Sequence, residues 1–219
     1  MTIAFVPAPE SPFATLRQFA KKRSDVEKCE LCKVDLAPEH QHLLEPSARK
    51  LVCACDACAI LFSHREGAKF KRVPRDVRFL RDFRMTDGQW EALMIPIGMA
   101  FFYESSVLNK EVAFYPSPAG ATESLLSLDS WKEIVEDNPV LKNLEPDVEA
   151  LLVNRVNPTH GFSGAACYVV PIDECYRLVG LIRSNWQGFS GGTEVWQKIG
   201  SFFADLRTKA GVEDARTDA

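Results

Sequence analysis

The fold of the N-terminal part is decided by two Cys-x2-Cys pairs, Cys29-Glu-Leu-Cys32 and Cys55-Asp-Ala-Cys58, with 22 residues between them. Two residues between thiolates allow both sulfurs to reach one ion from a tight turn, and two such pairs complete a tetrahedral shell. Apolar residues in 55–66 recur at helical spacing, so the second pair is expected to open a helix, whose N-terminus favours thiolates. The pattern predicts one zinc ion held by four cysteines. Iron stays open as the alternative, because spacing does not separate the two metals.

Three further potential ligands lie near or between these pairs. Cys53 is predicted to be a buried structural thiol. Two other roles stay open for it, contact with the metal ligands or service as an alternative ligand. His40 and His42 would point the same way on a strand, where they are expected to hydrogen-bond around a structural zinc. The Glu-His-x-His run before a Cys-x2-Cys also resembles the metal-binding hairpin of HNH nucleases, which implies a metal-dependent nuclease as an alternative. His64 departs from that pattern, since it lies about half a turn away from Cys55 around the predicted helix.

Composition excludes several classes of protein. The chain has 219 residues, 46% hydrophobic and 26% charged, which is typical of a folded globular protein. A net charge of -4 gives no global attraction to nucleic acid, so a nucleic-acid partner is not expected. No run of 18 apolar residues and no secretory leader is visible, so we expect a cytoplasmic protein that does not enter the membrane. Clustered cysteines in that compartment indicate metal rather than disulfides.

The sequence predicts an α+β fold in which a small treble-clef-like or zinc-ribbon-like metal module precedes a mixed α+β domain. The expected parts are an N-terminal helix within residues 1–26, the Cys/His metal-binding module at 27–70, the α+β domain at 71–210 and a polar tail at 211–219. Residues 65–84 contain eight basic and three acidic side chains, which indicates a linker or a solvated face between the two modules.

The second domain alternates strand-like and helix-like segments. Thr86 and Gln89 form a capping-box pattern at the start of a helix. Apolar residues at helical spacing predict two final helices that each lay a stripe on a sheet. The remaining patterns predict a helix at 128–136 and strands at 97–104, 111–116, 149–155 and 166–170. Cys167 and Cys175 are expected to be core residues.

No catalytic residue is predicted, and a non-enzymatic role is favoured. Gly188-Phe-Ser-Gly-Gly192 matches G-x-S-x-G, but it lies between two predicted helices and no histidine follows His160, so it is expected to be an interhelical turn. The segments 116–124 and 188–192 are rich in Gly, Ser or Pro and are flanked by aromatic residues. We expect either a protein-binding surface that includes Tyr115, Trp186 and Phe189, or ordinary turns with buried aromatics.

Several runs together resemble an uncharacterised bacterial family catalogued only as a domain of unknown function. The likeness extends over about residues 11–209. The runs that carry it are Cys29-Glu-Leu-Cys32, His40-Gln-His42-Leu-Leu, Leu51-Val-Cys-Ala-Cys-Asp-Ala-Cys58, Ala113-Phe-Tyr-Pro-Ser-Pro-Ala-Gly-Ala-Thr-Glu-Ser124, Glu145-Pro-Asp-Val-Glu-Ala-Leu-Leu152 and Val170-Pro-Ile-Asp-Glu-Cys-Tyr176. One departure is Lys33, where a glycine commonly follows the cysteine turn.

Members of that family are often encoded near the subunits and accessory proteins of nickel-iron hydrogenases. The resemblance therefore implies an accessory or maturation role and a protein partner, with a hydrogenase component as the candidate. It supplies no catalytic residues. A rubredoxin-like iron and redox role for the same four cysteines, and an HNH-like nuclease, remain the alternatives from other functional classes.

Overall fold

The computed structural model describes residues 26–65, 67–124, 128–156 and 165–215. This part of the chain forms a mixed α+β structure with two β-sheets, as predicted. The helix expected near the N-terminus and the loop expected through residues 157–164 lie outside the described residues. Within them, no helix is long and apolar enough to cross a membrane.

The smaller sheet carries both cysteine pairs at its periphery. It contains β1 (Gln41–Glu45), β2 (Lys50–Ala54) and β3 (Lys71–Arg72) in the order β2-β1-β3. Helix α1 (Asp56–Ser63) lies between β2 and β3 along the chain. Both strand pairings are antiparallel. A separate apolar core lies between this sheet, α1 and the first cysteine turn; its buried members are Cys29, Leu36, Leu43, Val52, Ala54, Cys58 and Ala59.

The side of helix α1 that packs on this core is not the side that the sequence predicts. The apolar spacing of Ala57, Ile60 and Leu61 indicates a buried stripe, but Ile60 and Leu61 are 58% and 65% exposed. Cys58 and Ala59 are the buried residues of the helix instead. The position of Cys58 among the four cysteines sets the rotation of the helix, so its larger apolar side chains face outward.

The larger sheet has seven strands in the order β10-β4-β9-β8-β5-β6-β7. Its neighbours are antiparallel except β10 and β4, which are parallel. The strands are β4 (Arg78–Arg81), β5 (Met99–Ser105), β6 (Lys110–Ser117), β7 (Gly120–Ser124), β8 (Glu149–Asn154), β9 (Ala166–Pro171) and β10 (Gly211–Asp214). Four helices accompany them: α2 (Asp87–Ala92), α3 (Leu128–Asp137), α4 (Ile172–Asn185) and α5 (Gly192–Lys209). The strands and helices predicted from residue 86 to residue 206 are all present.

Each face of the large sheet is covered by its own core. Successive residues of a strand point to opposite faces, and accordingly Phe101 packs with the stripes of α4 and α5 while Phe102 packs with Trp131 and Ile134 of α3. The central strands are therefore apolar on both faces, which explains their continuous hydrophobic runs. Cys175 is buried in the first core and Cys167 in the second, as predicted.

Two segments that were not predicted to be strands belong to this sheet. The arginine-rich segment was expected to be a linker or a solvated face, but β4 lies between β10 and β9 and buries Leu80. Arg78 is accommodated there because its guanidinium lies 2.8 Å from Glu149 and 3.1 Å from Glu213. Residues 211–214, expected in a polar tail, form β10. In both cases neighbouring strands supply the partners that neutralise the charged side chains.

The smaller sheet rests directly on the larger domain. Leu44 of β1 belongs to the core beneath α4 and α5. Lys71 pairs with the buried carboxylate of Asp147 at 2.8 Å, and Arg49 pairs with Glu123 at 2.9 Å while stacking over the ring of Phe114. The face of the β1–β2 hairpin that carries Leu44 also contacts the first turn of α4, through His42 and Asp173.

Candidate metal centre

The first cysteine pair lies on a tight turn held by its own backbone. The N–H of Cys29 donates to the carbonyl of Val34 and the N–H of Lys33 donates to the carbonyl of Cys29, both at 2.8 Å. Lys33 has a φ of 69°, the left-handed conformation that a glycine commonly supplies at this point. The turn therefore forms with lysine in the glycine position. The Lys33 ammonium also donates to the carbonyl of Glu30 at 2.8 Å.

The second pair lies at the start of α1, as predicted. Cys55 is the N-cap residue, with extended backbone angles, and its carbonyl accepts the first helical hydrogen bond from Ala59. Cys58 lies in the first turn and is buried. The free N–H groups of a helix N-terminus stabilise negative charge, so this location favours thiolate sulfur.

The structure brings the four predicted ligands together. The sulfurs of Cys29, Cys32, Cys55 and Cys58 all lie within 4.8 Å of one another. The sulfurs of Cys32 and Cys55 are 3.7 Å apart. A tetrahedral ion with metal–sulfur bonds of about 2.3 Å requires sulfurs roughly 3.8 Å apart, so this separation fits a shared ion. The four cysteines can therefore hold one metal ion.

The pKa values of the four thiols depend on how close the sulfurs are to one another and on their burial. Burial opposes ionisation of Cys29, but the backbone N–H groups of Cys32, Cys55 and Leu31 lower its pKa below the ordinary value. Burial and the neighbouring thiols raise the pKa of Cys58. Four sulfurs this close cannot all carry charge without a cation between them. A divalent ion would remove that restriction and bind all four as thiolates.

The three remaining predicted ligands form a second group on the face of the β1–β2 hairpin that packs against the larger domain. His42 and Cys53 are directly opposite in the β1–β2 register, and His40 lies two residues before His42. One ligand atom of each lies within 4.8 Å of the others. The imidazole of His42 also contacts the carboxylate of Asp173 on α4, with 2.6 Å between Nδ1 and Oδ2. This hydrogen bond raises the pKa of His42.

The two groups are connected through Glu30. Its backbone N–H donates to the carbonyl of Cys53 at 2.9 Å, and its carboxylate accepts from the N–H of Cys53 at 3.0 Å. The turn that carries Cys29 and Cys32 is thus held against strand β2. Burial, followed by the charges of Glu27 and Glu30, raises the pKa of Cys53.

His64 lies outside both groups. It caps the C-terminal end of α1 and is exposed, whereas an HNH-like site needs a ligand from the helix beside the hairpin histidines. The structure supplies no such helix ligand among the described residues, and the nuclease alternative gains no support.

The predicted interface residues are spread over two faces of the large sheet. Tyr115 packs against the core that contains α3, and Trp186 packs against the core beneath α4 and α5. The indole N–H of Trp186 donates to the carbonyl of Gly188 at 2.8 Å, which holds the interhelical turn. Phe189 at the tip of that turn is fully exposed. Tyr115 and Phe189 therefore belong to different surfaces.

Comparison with known protein families gives a match for this chain. Residues 28–210 match the model of a family of unknown function, DUF5947. The chain belongs to this family. The DUF5947 match begins one residue before Cys29 and contains every residue of both ligand groups. No curated protein and no solved structure matches the chain.

Asp173, which contacts His42 of the second group, was not predicted from the spacing of residues in the sequence. It is 131 positions from His42 along the chain, and only the fold brings the two side chains together. Its sole sequence signal is its place in Val170-Pro-Ile-Asp-Glu-Cys-Tyr176, one of the runs that carry the resemblance to the DUF5947 family.

Proposed function

We propose that Cys29, Cys32, Cys55 and Cys58 hold one structural zinc ion in a treble-clef-like module. The observation that supports this most directly is the convergence of the four sulfurs within 4.8 Å, two from a tight turn and two from a helix N-terminus. Four thiolates close a tetrahedral shell and leave no position for water or substrate, which is the arrangement of structural zinc sites.

Iron in the same four sulfurs is the second candidate. Cys32 is exposed, so an ion bound there would lie near the surface, as electron exchange with another protein requires. Zinc and ferric iron differ in one simple property, because zinc thiolates do not absorb visible light and ferric thiolates do. Elemental analysis and a visible spectrum of protein purified without oxygen separate the two.

The module is proposed to act by presenting a surface to another protein. Three consecutive apolar side chains of α1, those of Ile60, Leu61 and Phe62, are 58%, 65% and 42% exposed, two to four residues after Cys58 on the same helix. Adjacent exposed apolar side chains of this size are typical of protein-binding surfaces. The zinc ion would fix the orientation of the helix that carries them.

The proposed role is therefore that of a cytoplasmic accessory protein, with a component of a nickel-iron hydrogenase as the proposed partner. The support for that partner is the resemblance described above and the exposed surface of α1. A tagged chain purified from its own cells should retain hydrogenase components, and an Ile60→Ser/Leu61→Ser variant should lose them. Equal recovery with both chains, at matched expression and melting temperature, argues against this surface.

A chelation experiment tests the structural role of the metal. Removal of the ion should unfold residues 27–66, because a site formed by folding contributes its binding energy to folding. We expect loss of protease resistance in this segment while the seven-stranded sheet stays protected. A chelated protein that has lost its metal but keeps the same protease pattern and thermal transition would contradict a structural role.

A further inference from the structure

Two imidazoles and a thiol lie together on the face of the β1–β2 hairpin that packs against the larger domain. His42 and Cys53 are cross-strand partners, so their side chains emerge from the same face of the sheet. A nitrogen of each histidine and the sulfur of Cys53 lie within 4.8 Å of one another. Imidazole nitrogen and thiolate sulfur are the ligands that zinc takes most often, together with carboxylate oxygen.

One nitrogen of each ring is already engaged. Nδ1 of His40 lies 3.0 Å from the carbonyl of Ala37, and Nδ1 of His42 lies 2.6 Å from the carboxylate of Asp173. Both partners accept hydrogen bonds, so both rings carry their proton on Nδ1 and present Nε2 as a free lone pair. A backbone carbonyl or a carboxylate on the far nitrogen is the usual support of a metal-binding histidine.

His40 supplies an independent sign that a ligand belongs here. Its side chain is only 7% exposed, and within the described part of the chain its buried Nε2 has no hydrogen-bond partner. A buried nitrogen without a partner is unfavourable, because it has lost its hydrogen bond to water without a replacement. The Glu27 carboxylate is 3.5 Å away, beyond a good hydrogen bond, and is largely exposed. A metal ion on Nε2 would remove this cost.

We propose that His40, His42 and Cys53 bind a second divalent metal ion, of the zinc class, separate from the ion of the four cysteines. Three protein ligands leave the fourth coordination position to water or to an exchangeable ligand, which distinguishes this site from the closed four-cysteine site. The carboxylate of Glu27 is within reach of that position.

A cysteine nucleophile is the competing use of the same residues, since Cys53, His42 and Asp173 follow one another as thiol, base and orienting carboxylate. Two observations favour the metal. The Glu30 carboxylate accepts from the N–H of Cys53 at 3.0 Å and the Glu27 carboxylate lies 3.5 Å from Nε2 of His40, so negative charge that would stabilise a cation lies beside the group. A triad also gives no role to the buried nitrogen of His40.

The proposed ion would lie at the junction of the two sheets. Its three ligands belong to the smaller sheet, and Asp173, which orients His42, belongs to the first turn of α4 in the larger domain. Binding would therefore hold the hairpin against α4. Asp173 is a positioning residue here, because it contacts a ligand and not the ion.

Zinc stoichiometry of the full chain tests the proposal. After loading with excess zinc and desalting, the parent should hold two ions per chain, and His40→Ala and Cys53→Ser should each hold one. His64→Ala, which removes an exposed histidine outside both groups, should hold two. Asp173→Asn keeps every ligand and should bind the second ion 10–100-fold more weakly in a competition with a chromogenic chelator.

Several results would overturn the proposal. One is a parent that binds a single ion that is lost in Cys29→Ser and kept in His40→Ala, which leaves the four-cysteine site intact. Another is a pair of folded His40→Ala and Cys53→Ser chains that still hold two ions. A third is alkylation of Cys53 by iodoacetamide at equal rates with and without zinc, which would indicate a free nucleophile. A parent without any metal would overturn both sites.

Discussion

The carboxylate of Asp173 on α4 accepts a hydrogen bond from the imidazole of His42 on β1, with 2.6 Å between Oδ2 and Nδ1. This contact joins the first turn of a helix in the larger domain to the hairpin of the metal-binding module. Both side chains are partly shielded from water, so the interaction is stronger than that of an exposed pair. It adds to the Lys71–Asp147 and Arg49–Glu123 pairs that also join the smaller sheet to the larger domain.

The coupling between His42 and Asp173 is measurable by a double-mutant cycle. In protein holding one equivalent of zinc, the single and double alanine variants should reveal a coupling energy of about 1 kcal/mol in the free energy of unfolding. The cycle is compared with one between His64 and Asp173, whose effects should add. Additive effects for His42 and Asp173 would show that the two modules are not held by this bond.

The left-handed conformation of Lys33 leads to a second prediction. Lys33→Val should lower the free energy of unfolding of the module by about 1–2 kcal/mol, because a β-branched residue is strained at positive φ. Lys33→Gly should be tolerated, since glycine adopts this conformation freely. Thermal melts of the zinc-loaded chains compare the two. A valine variant as stable as the glycine variant would contradict the turn geometry.

Arg78 provides a test of the position of β4. Its guanidinium pairs with Glu149 and Glu213 from two different strands, and the Glu149 side chain is mostly buried. Arg78→Met should lower the free energy of unfolding by about 2 kcal/mol, because it leaves a shielded carboxylate unpaired. Adding Glu149→Gln should recover part of the loss. Urea unfolding of the parent, the single variant and the double variant measures these free energies. An Arg78→Met chain as stable as the parent would contradict an interior β4.

Phe189 tests the surface formed by the turn between α4 and α5. Its side chain is fully exposed, so Phe189→Ala should leave the melting temperature unchanged and lower the recovery of the partner protein by severalfold. Tyr115→Ala should instead lower the melting temperature, because Tyr115 packs on a core. Unchanged partner recovery with folded Phe189→Ala would exclude this turn and leave the exposed side chains of α1 as the proposed interaction surface.

The sequence predicts the convergence of the four cysteines because its signal is local. Two residues between cysteines is a spacing that only a tight turn or a helix start satisfies, and the structure shows one of each. The helices α4 and α5 are also predicted, because apolar residues at a period of 3.6 over 14 and 18 residues leave few alternatives. Such patterns depend only on neighbours along the chain.

The features that the sequence does not reveal depend on distant partners. The arginines of β4 indicate a solvated segment until Glu149 and Glu213 are placed beside Arg78. The parallel partner of β10 is more than 130 residues away, and a four-residue strand has little pattern of its own. Likewise, the outward face of α1 is set by Cys58 joining cysteines from another segment. Side-chain periodicity alone cannot report these constraints.

The metal content of cysteine variants tests the central claim most directly. Elemental analysis of anaerobically purified chains should give at least one metal ion fewer per chain in Cys29→Ser, Cys32→Ser, Cys55→Ser and Cys58→Ser than in the parent, since unfolding of residues 27–66 would also disrupt the second site. Cys167→Ser and Cys175→Ser, which change cysteines buried in the two large cores, should match the parent. Parent-level metal in two of the first four variants would contradict a site shared by these four cysteines.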